Sequence, residues 1–104
     1  SPQSAEAHYW RTAVLSDLGR HEEALKSVER SFRYLKDADR WLLEDLYCEK
    51  AVILDAMGRE EEAVATYEEG LREVPSSSLL RSGLAPLRRA QMRATFQVLR
   101  GGLA

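Results

Sequence analysis

The side chains that most often carry out chemistry are few in this chain, and none stands in a catalytic pattern. The histidines are His8 and His21, and Cys48 is the one cysteine, so we expect neither a metal site nor an internal disulfide. Asp45 lies one turn before Cys48 and Glu49 directly after it, and acidic neighbours disfavour the thiolate that a nucleophile needs. We interpret His8 as a packed, hydrogen-bonded core side chain and His21 as an exposed turn residue.

Other common signs of an active site have structural interpretations here. Glycines stand singly apart from Gly101 and Gly102, and they form no phosphate-binding loop. The acidic run 60–62 fits the first turn of a helix, where negative charge is stabilised by the helix dipole. We therefore expect no enzyme, no metal and no cofactor.

Length and composition indicate one helix-rich globular domain with a modest core. The chain has 104 residues, of which 31% are charged and 44% hydrophobic. No apolar run approaches the roughly 18–20 residues that cross a bilayer, and no signal peptide pattern opens the chain. With a single cysteine, these features favour a cytoplasmic location. Because the chain begins with Ser1 rather than Met, we expect a piece of a longer protein or a tagged one.

The net charge is divided unevenly along the chain. Residues 1–75 contain 10 Lys and Arg against 17 Asp and Glu, a net charge of −7. Residues 76–104 contain five Arg and no acid, a net charge of +5. Such a division indicates that the tail contacts something acidic, and the nearest acidic object is the rest of the same chain.

The elements that position these residues are predicted to be five helices. Ser4 caps a first helix to about Leu18, and Gly19 ends it in the left-handed conformation. A second helix follows from His21, and a third is capped by Asp37 or Asp39 and reaches Gly58. The fourth helix spans about 60–73. Pro75 ends it, and the serines 76–78 cap the tail.

The tail is predicted to be one helix kinked at Pro86, or a short helix followed by a longer one, ending at Gly101 and Gly102. Its apolar residues form two stripes at helical spacing. The first stripe comprises Leu80, Leu84, Leu87, Gln91, Ala94 and Val98, and the second comprises Met92, Phe96, Leu99 and Leu103.

Two segments of the chain repeat one another at an offset of 39 residues. The shared pairs are Leu15/Leu54, Gly19/Gly58, Arg20/Arg59, Glu22/Glu61, Glu23/Glu62, Ala24/Ala63 and Glu29/Glu68. Each segment holds a helix end, a glycine turn and a helix start. A repeated helix-turn-helix unit is typical of an α-solenoid, so the predicted fold class is all-α.

The spacing within each unit resembles the tetratricopeptide repeat. Glycine is followed by alanine five residues on and by a bulky side chain four residues later, as in Gly19, Ala24 and Val28 and again in Gly58, Ala63 and Tyr67. Pro75 matches the closing proline of that repeat, and Ser31 and Gly70 match its small residue at the helix crossing. The resemblance implies antiparallel helix-turn-helix repeats in a short right-handed α-solenoid. Its units would be repeat one at 4–38, repeat two at 39–75 and an amphipathic capping helix at 76–104, within a single domain 1–104.

The resemblance also implies a binding site, because the first helix of each repeat lines a concave groove in this family. The corresponding residues are Glu6, Tyr9, Trp10, Ala13 and Asp17 in repeat one, and Asp45, Cys48, Glu49, Val52 and Asp55 in repeat two. This set has five carboxylates and no base, with an aromatic corner at Tyr9 and Trp10. It should favour a basic peptide or helix with an apolar anchor. The alternative is that these are ordinary solvated helix faces.

The basic tail has three interpretations. It lies on the acidic body of its own chain as a cap, or it contacts another copy and makes a homo-oligomer. The residues for such contacts are Leu84, Leu87, Arg88, Met92 and Phe96. The third interpretation is that the tail binds nucleic acid. Five Arg on a net-acidic chain give only weak support for it. The function predicted is a non-catalytic protein-interaction module, and the alternative is an assembly element that self-associates.

Overall fold

The computed structural model describes residues 4–103, which form five α-helices and one 3₁₀ segment. The helices are α1 (Ala5–Asp17), α2 (His21–Arg33), α3 (Leu43–Ala56), α4 (Glu60–Glu73) and α5 (Ser78–Leu103), and the 3₁₀ segment is Asp37–Leu42. No strand occurs in these residues, so the all-α prediction is confirmed. Residues 1–3, Ala104 and the side chain of Leu103 lie outside the described part.

Both hairpin turns are formed by a glycine in the left-handed region. Gly19 has φ of 75° and Gly58 has φ of 77°, a conformation that costs a residue with a Cβ about 1–2 kcal/mol. The predicted Ser4 cap is also present, because its Oγ accepts a 3.3 Å hydrogen bond from the Ala7 N–H. These local signals confirm where α1 begins and how both hairpins turn.

The start of the third helix was predicted wrongly. Asp39 Oδ2 accepts a hydrogen bond from the Lys36 N–H at 3.1 Å, and the Asp39 N–H donates to the Lys36 carbonyl at 2.8 Å. Such short-range bonds from an aspartate compete with α-helical pairing. The chain therefore forms a 3₁₀ segment first, and α3 begins only at Leu43.

Small residues allow close packing within each hairpin, α1 on α2 and α3 on α4. Ala24 and Ala63 are fully buried. Ser31 is also fully buried, and its Oγ donates a 2.6 Å hydrogen bond to the carbonyl of Ala5. At Gly70, an added Cβ would lie 2.8 Å from Tyr47 Cβ, so α4 approaches α3 as closely as a glycine permits.

The two hairpins share one continuous apolar interior. One group of buried side chains lies between α1, α2 and α3, and another lies between α3, α4 and α5. Phe32, Leu35 and Leu87 pack against both groups. The helices therefore form a stack in chain order, in which α1 and α5 are the terminal members.

The tail forms one continuous helix with Pro86 inside it, not two helices. Ser77 caps it, since its Oγ accepts from the Leu80 N–H at 3.1 Å and donates to Glu44 Oε1 at 2.7 Å. The prediction that Gly101 and Gly102 end the helix is wrong, because α5 continues to Leu103. A glycine adopts the right-handed helical conformation as readily as the left-handed one, so it does not by itself end a helix.

Candidate functional site

The helices α1 and α3 lie side by side and bring Tyr9 against a group of acidic side chains. The pKa of the Tyr9 phenol is raised, first by burial and then by the charges of Asp45 and Glu49, with a smaller contribution from Cys48. Residues from two separate parts of the chain therefore meet at one surface. We call this surface the acidic groove and define it by Tyr9, Asp17, Asp45, Cys48 and Glu49.

The carboxylates of the acidic groove repel one another. Partial burial raises the pKa of Glu49, and the negative charges of Asp17 and Asp45 raise it further. The pKa of Asp45 is raised by burial and then by Glu44. Within residues 4–103 the ion pairs are Arg20–Glu23, Arg59–Glu62 and Arg88–Glu68, so none of the basic side chains described pairs with a carboxylate of the groove.

Cys48 lies in this same negative environment. Burial raises the pKa of its thiol most, and Glu49, Asp45 and Glu44 raise it further. A thiol held protonated is a poor nucleophile at neutral pH. Its place in the groove is therefore that of a small, half-buried apolar side chain between charged neighbours.

Sequence reasoning assigned Tyr67 to packing and missed its hydroxyl. Burial raises the pKa of this phenol to about 12, with further contributions from Cys48, Asp55 and Glu49. The ring comes from α4, and α5 leaves room for it, because a Cβ at Gly83 would lie 2.6 Å from Tyr67 Oη. A tyrosine facing a glycine of the next helix was the available signal, and the buried Tyr67 is a second tyrosine, after Tyr9, whose pKa Cys48 and Glu49 raise.

The ten residues predicted for the groove are all exposed or half-buried, and all lie on α1 and α3. Trp10 is exposed, contacts the Tyr9 ring edge-on at 5.2 Å between centroids, and has its Nε1 3.5 Å from Glu6 Oε1. Ala13 is half-buried, and Val52 is exposed.

The residues predicted for the tail contact do not form one surface. Leu84 is buried against α3 and α4, and Leu87 packs partly into the core. Arg88 bonds to Glu68 of α4, with 2.7 Å between Nη2 and Oε2. Met92 and Phe96 are exposed on the second half of α5. The first half of the tail therefore packs on its own chain, whereas the second half leaves its apolar stripe uncovered.

Neither histidine has the surroundings that were predicted. His8 stacks on the Tyr34 ring at 5.6 Å between centroids, but its Nε2 has no hydrogen-bond partner in the described residues. His21 is half-buried rather than exposed, and its Nδ1 is likewise without a partner there. In the same residues no group of three or more His, Cys, Asp or Glu could hold a metal ion.

Hairpins stacked in chain order, with glycine turns and alanine crossings, define a short α-helical repeat protein. Residues 44–73, which cover α3 from its second residue and all of α4, match the family model of the tetratricopeptide repeat, so this hairpin is similar to a repeat of that family. Members of the family are typically non-catalytic protein-interaction modules. No curated protein and no solved structure matches the chain. None of the helices in residues 4–103 combines the length and apolar character that crossing a membrane requires.

Proposed function

We propose that the acidic groove binds a basic, amphipathic helical or peptide segment of another protein. The observation that carries this proposal is the meeting of Tyr9 on α1 with Asp45 and Glu49 on α3, and of Asp17 on α1 with Glu49. No ion pair in residues 4–103 neutralises these carboxylates. A tetratricopeptide repeat is a protein-interaction module, and the negative charge of the groove supports a basic partner. In the proposed organisation, 4–38 and 39–75 are two repeats, and 76–104 covers the second.

Burial strengthens the case for a cationic partner. Asp45 and Glu49 are partly dehydrated and repel other carboxylates, so their charged forms are disfavoured in the free protein. An Arg or Lys placed between them would relieve this repulsion and replace lost solvation. The gain is specific to the groove, because exposed carboxylates elsewhere are already hydrated.

The aromatic corner supplies the apolar part of the proposed site. The rings of Tyr9 and Trp10 are in edge-on contact, and Trp10 is largely exposed. An aromatic pair of this kind offers contact area to an apolar side chain and a π face to a cation. A ligand with Arg on one face and Leu on the neighbouring face would use both features.

The test is a titration with an Arg/Leu amphipathic peptide of about four helical turns, and with the same peptide carrying Glu in place of Arg. Isothermal titration calorimetry measures the affinity, because Trp10 and Trp41 are both exposed and their fluorescence would also respond to contacts outside the groove. The double variant Asp45→Asn with Glu49→Gln should bind roughly five- to thirtyfold more weakly, since partly exposed ion pairs contribute about 0.5–1 kcal/mol each.

The matched control removes two exposed carboxylates at the start of α4, Glu60→Gln with Glu61→Gln. It loses the same charge and should keep the original affinity. Equal weakening of the two double variants would show that the peptide senses net charge only. Equal binding of the basic and acidic peptides would remove the proposal altogether.

Binding should also depend on pH in a defined direction. A bound cation favours the charged carboxylates, so affinity should fall as pH decreases through the raised pKa values of Asp45 and Glu49. In that range the complex should release protons on formation. Calorimetry in two buffers of different ionisation enthalpy measures that release directly.

A further inference from the structure

The second half of α5 presents an apolar stripe that nothing in residues 4–103 covers. Met92, Phe96 and Leu99 each expose at least 60% of their surface. They lie at helical spacing on one face, about a third of a turn round from the buried face of Leu80 and Leu84. Arg88, Gln91 and Thr95 complete the lining of a shallow depression along this face.

The other terminal helix has a similar uncovered face. Trp10 and Val14 on α1 and Leu18, which caps its end, follow one another at intervals of four residues, and each exposes more than half of its surface. This outer face is turned away from the buried residues Thr12 and Leu15. The stack of helices therefore has an apolar stripe at each end, one on α1 and one on α5.

The charges beside the two stripes are opposite in sign. Exposed Glu6 and Asp17 lie on α1, where Arg11 is the one Lys or Arg, and Asp17 also belongs to the acidic groove. Residues 1–75 as a whole are net acidic. The exposed arginines Arg89, Arg93 and Arg100 lie beside the stripe on α5, a helix that contains no acid. Apolar contact flanked by complementary charge gives both affinity and orientation.

We infer that the outer face of α5 in one copy of the chain binds the outer face of α1 in a second copy, head to tail. Pairing of α5 with α5 would set arginines against arginines with no carboxylate between them. Pairing of α1 with α1 would leave the stripe on α5, which the arginines flank, exposed to solvent. The head-to-tail arrangement covers both stripes. In it, the α1 helix of the second copy packs on α5, the last helix of the first copy.

The size of the two faces sets the expected strength. Each is one side of a single helix, smaller than the roughly 800 Å² per partner of a standard interface, so assembly should require micromolar or higher concentrations. A head-to-tail contact that does not close into a ring continues from copy to copy. The weight-average mass should therefore rise steadily with concentration instead of levelling at a dimer.

The experiment uses two blocked variants in sedimentation equilibrium. Val14→Lys blocks the α1 face and sets a lysine against the arginines of α5, while Phe96→Glu blocks the α5 face and sets a carboxylate against Glu6 and Asp17. Each variant alone should remain at the mass of one chain. An equimolar mixture should give a pair of at least twice that mass, because one intact face of each kind remains.

Controls place the same charges elsewhere. Ala94→Glu lies on the exposed side of α5 away from Met92 and Phe96, and Ala65→Lys lies on the exposed side of α4, so both should assemble like the original chain. Circular dichroism checks that each variant keeps its helices, which is expected for exposed positions.

Three results would overturn the inference. The first is an original chain that stays at the mass of one chain up to millimolar concentration. The second is a Val14→Lys variant that still self-associates, as an α5–α5 contact predicts. The third is a mixture of the two folded variants that forms no pair. The proposed function is tested separately by the peptide affinity of Asp45→Asn with Glu49→Gln, because both residues lie on α3 and not on the outer face of α1.

Discussion

Replacing Gly70 with alanine should destabilise the protein, although it improves the intrinsic helix propensity of α4. The new Cβ would meet Tyr47 Cβ and Leu80 Cδ1, both at 2.8 Å. The leucine methyl can move, but the tyrosine Cβ is fixed to the backbone of α3, so the two helices must separate. Overpacking of this kind costs about 1–3 kcal/mol, while the change from glycine gains up to about 1 kcal/mol in helix propensity. The net expectation is a loss of about 1–2 kcal/mol.

Urea unfolding followed by circular dichroism measures this loss. With a slope of about 1–2 kcal/mol per molar urea for a chain of this size, the midpoint should fall by roughly 1 M. Gly101→Ala is the matched control, since that position is helical and has nothing within 4 Å of an added Cβ. It should keep or slightly raise the midpoint. If Gly70→Ala is as stable as this control, the close contact of α4 with α3 at Gly70 is refuted.

Two further changes test the cap of α5 and the repulsion in the groove. Ser77→Ala removes the hydrogen bond that Ser77 accepts from the Leu80 N–H and the one that it donates to Glu44. It should lower the free energy of unfolding by about 1–2 kcal/mol. Ser76→Ala, at an exposed neighbouring position, should leave the free energy of unfolding unchanged. Glu49→Gln should raise stability at pH 7. The folded pKa of Glu49 lies above its unfolded value of about 4.3, so the cost of its charge is present at neutral pH and disappears as pH falls through the folded pKa. Urea midpoints across pH would contradict this reasoning if the variant's advantage were the same at pH 4 and pH 7.

Much of the fold could be predicted because its signals are local. A glycine that must adopt positive φ, an alanine five residues later and acids in the first turn of a helix each act within a few residues. The same spacing occurs at Gly19 and Gly58, so one hairpin supports the interpretation of the other. The start of α4 and the cap at Ser4 were predicted correctly for the same reason.

The errors arose where two local signals compete or where a distant residue decides. Asp39 can cap an α-helix or close a 3₁₀ turn, and only its bond to Lys36 settles which occurs. The sequence left open whether Pro86 divides the tail, and one continuous helix forms, with Leu84 and Leu87 packed on α3 and α4 on either side of the proline. The ring of Tyr67 fits against α5 only because Gly83, on another helix, has no Cβ, and this buried position raises the pKa of its hydroxyl.

Trp10 lies where the two proposed surfaces meet, and this explains why it should not be used to separate them. Its ring contacts Tyr9 on the groove side, while its exposed edge begins the stripe that continues to Val14 and Leu18. Loss of Trp10 should therefore weaken both peptide binding and assembly. Val14 lies one turn further along the outer face, so Val14→Lys should prevent assembly and leave the affinity for the basic peptide within about twofold of the original. A large loss of peptide affinity in that variant would mean that groove and outer face are one continuous surface, with a single partner covering both.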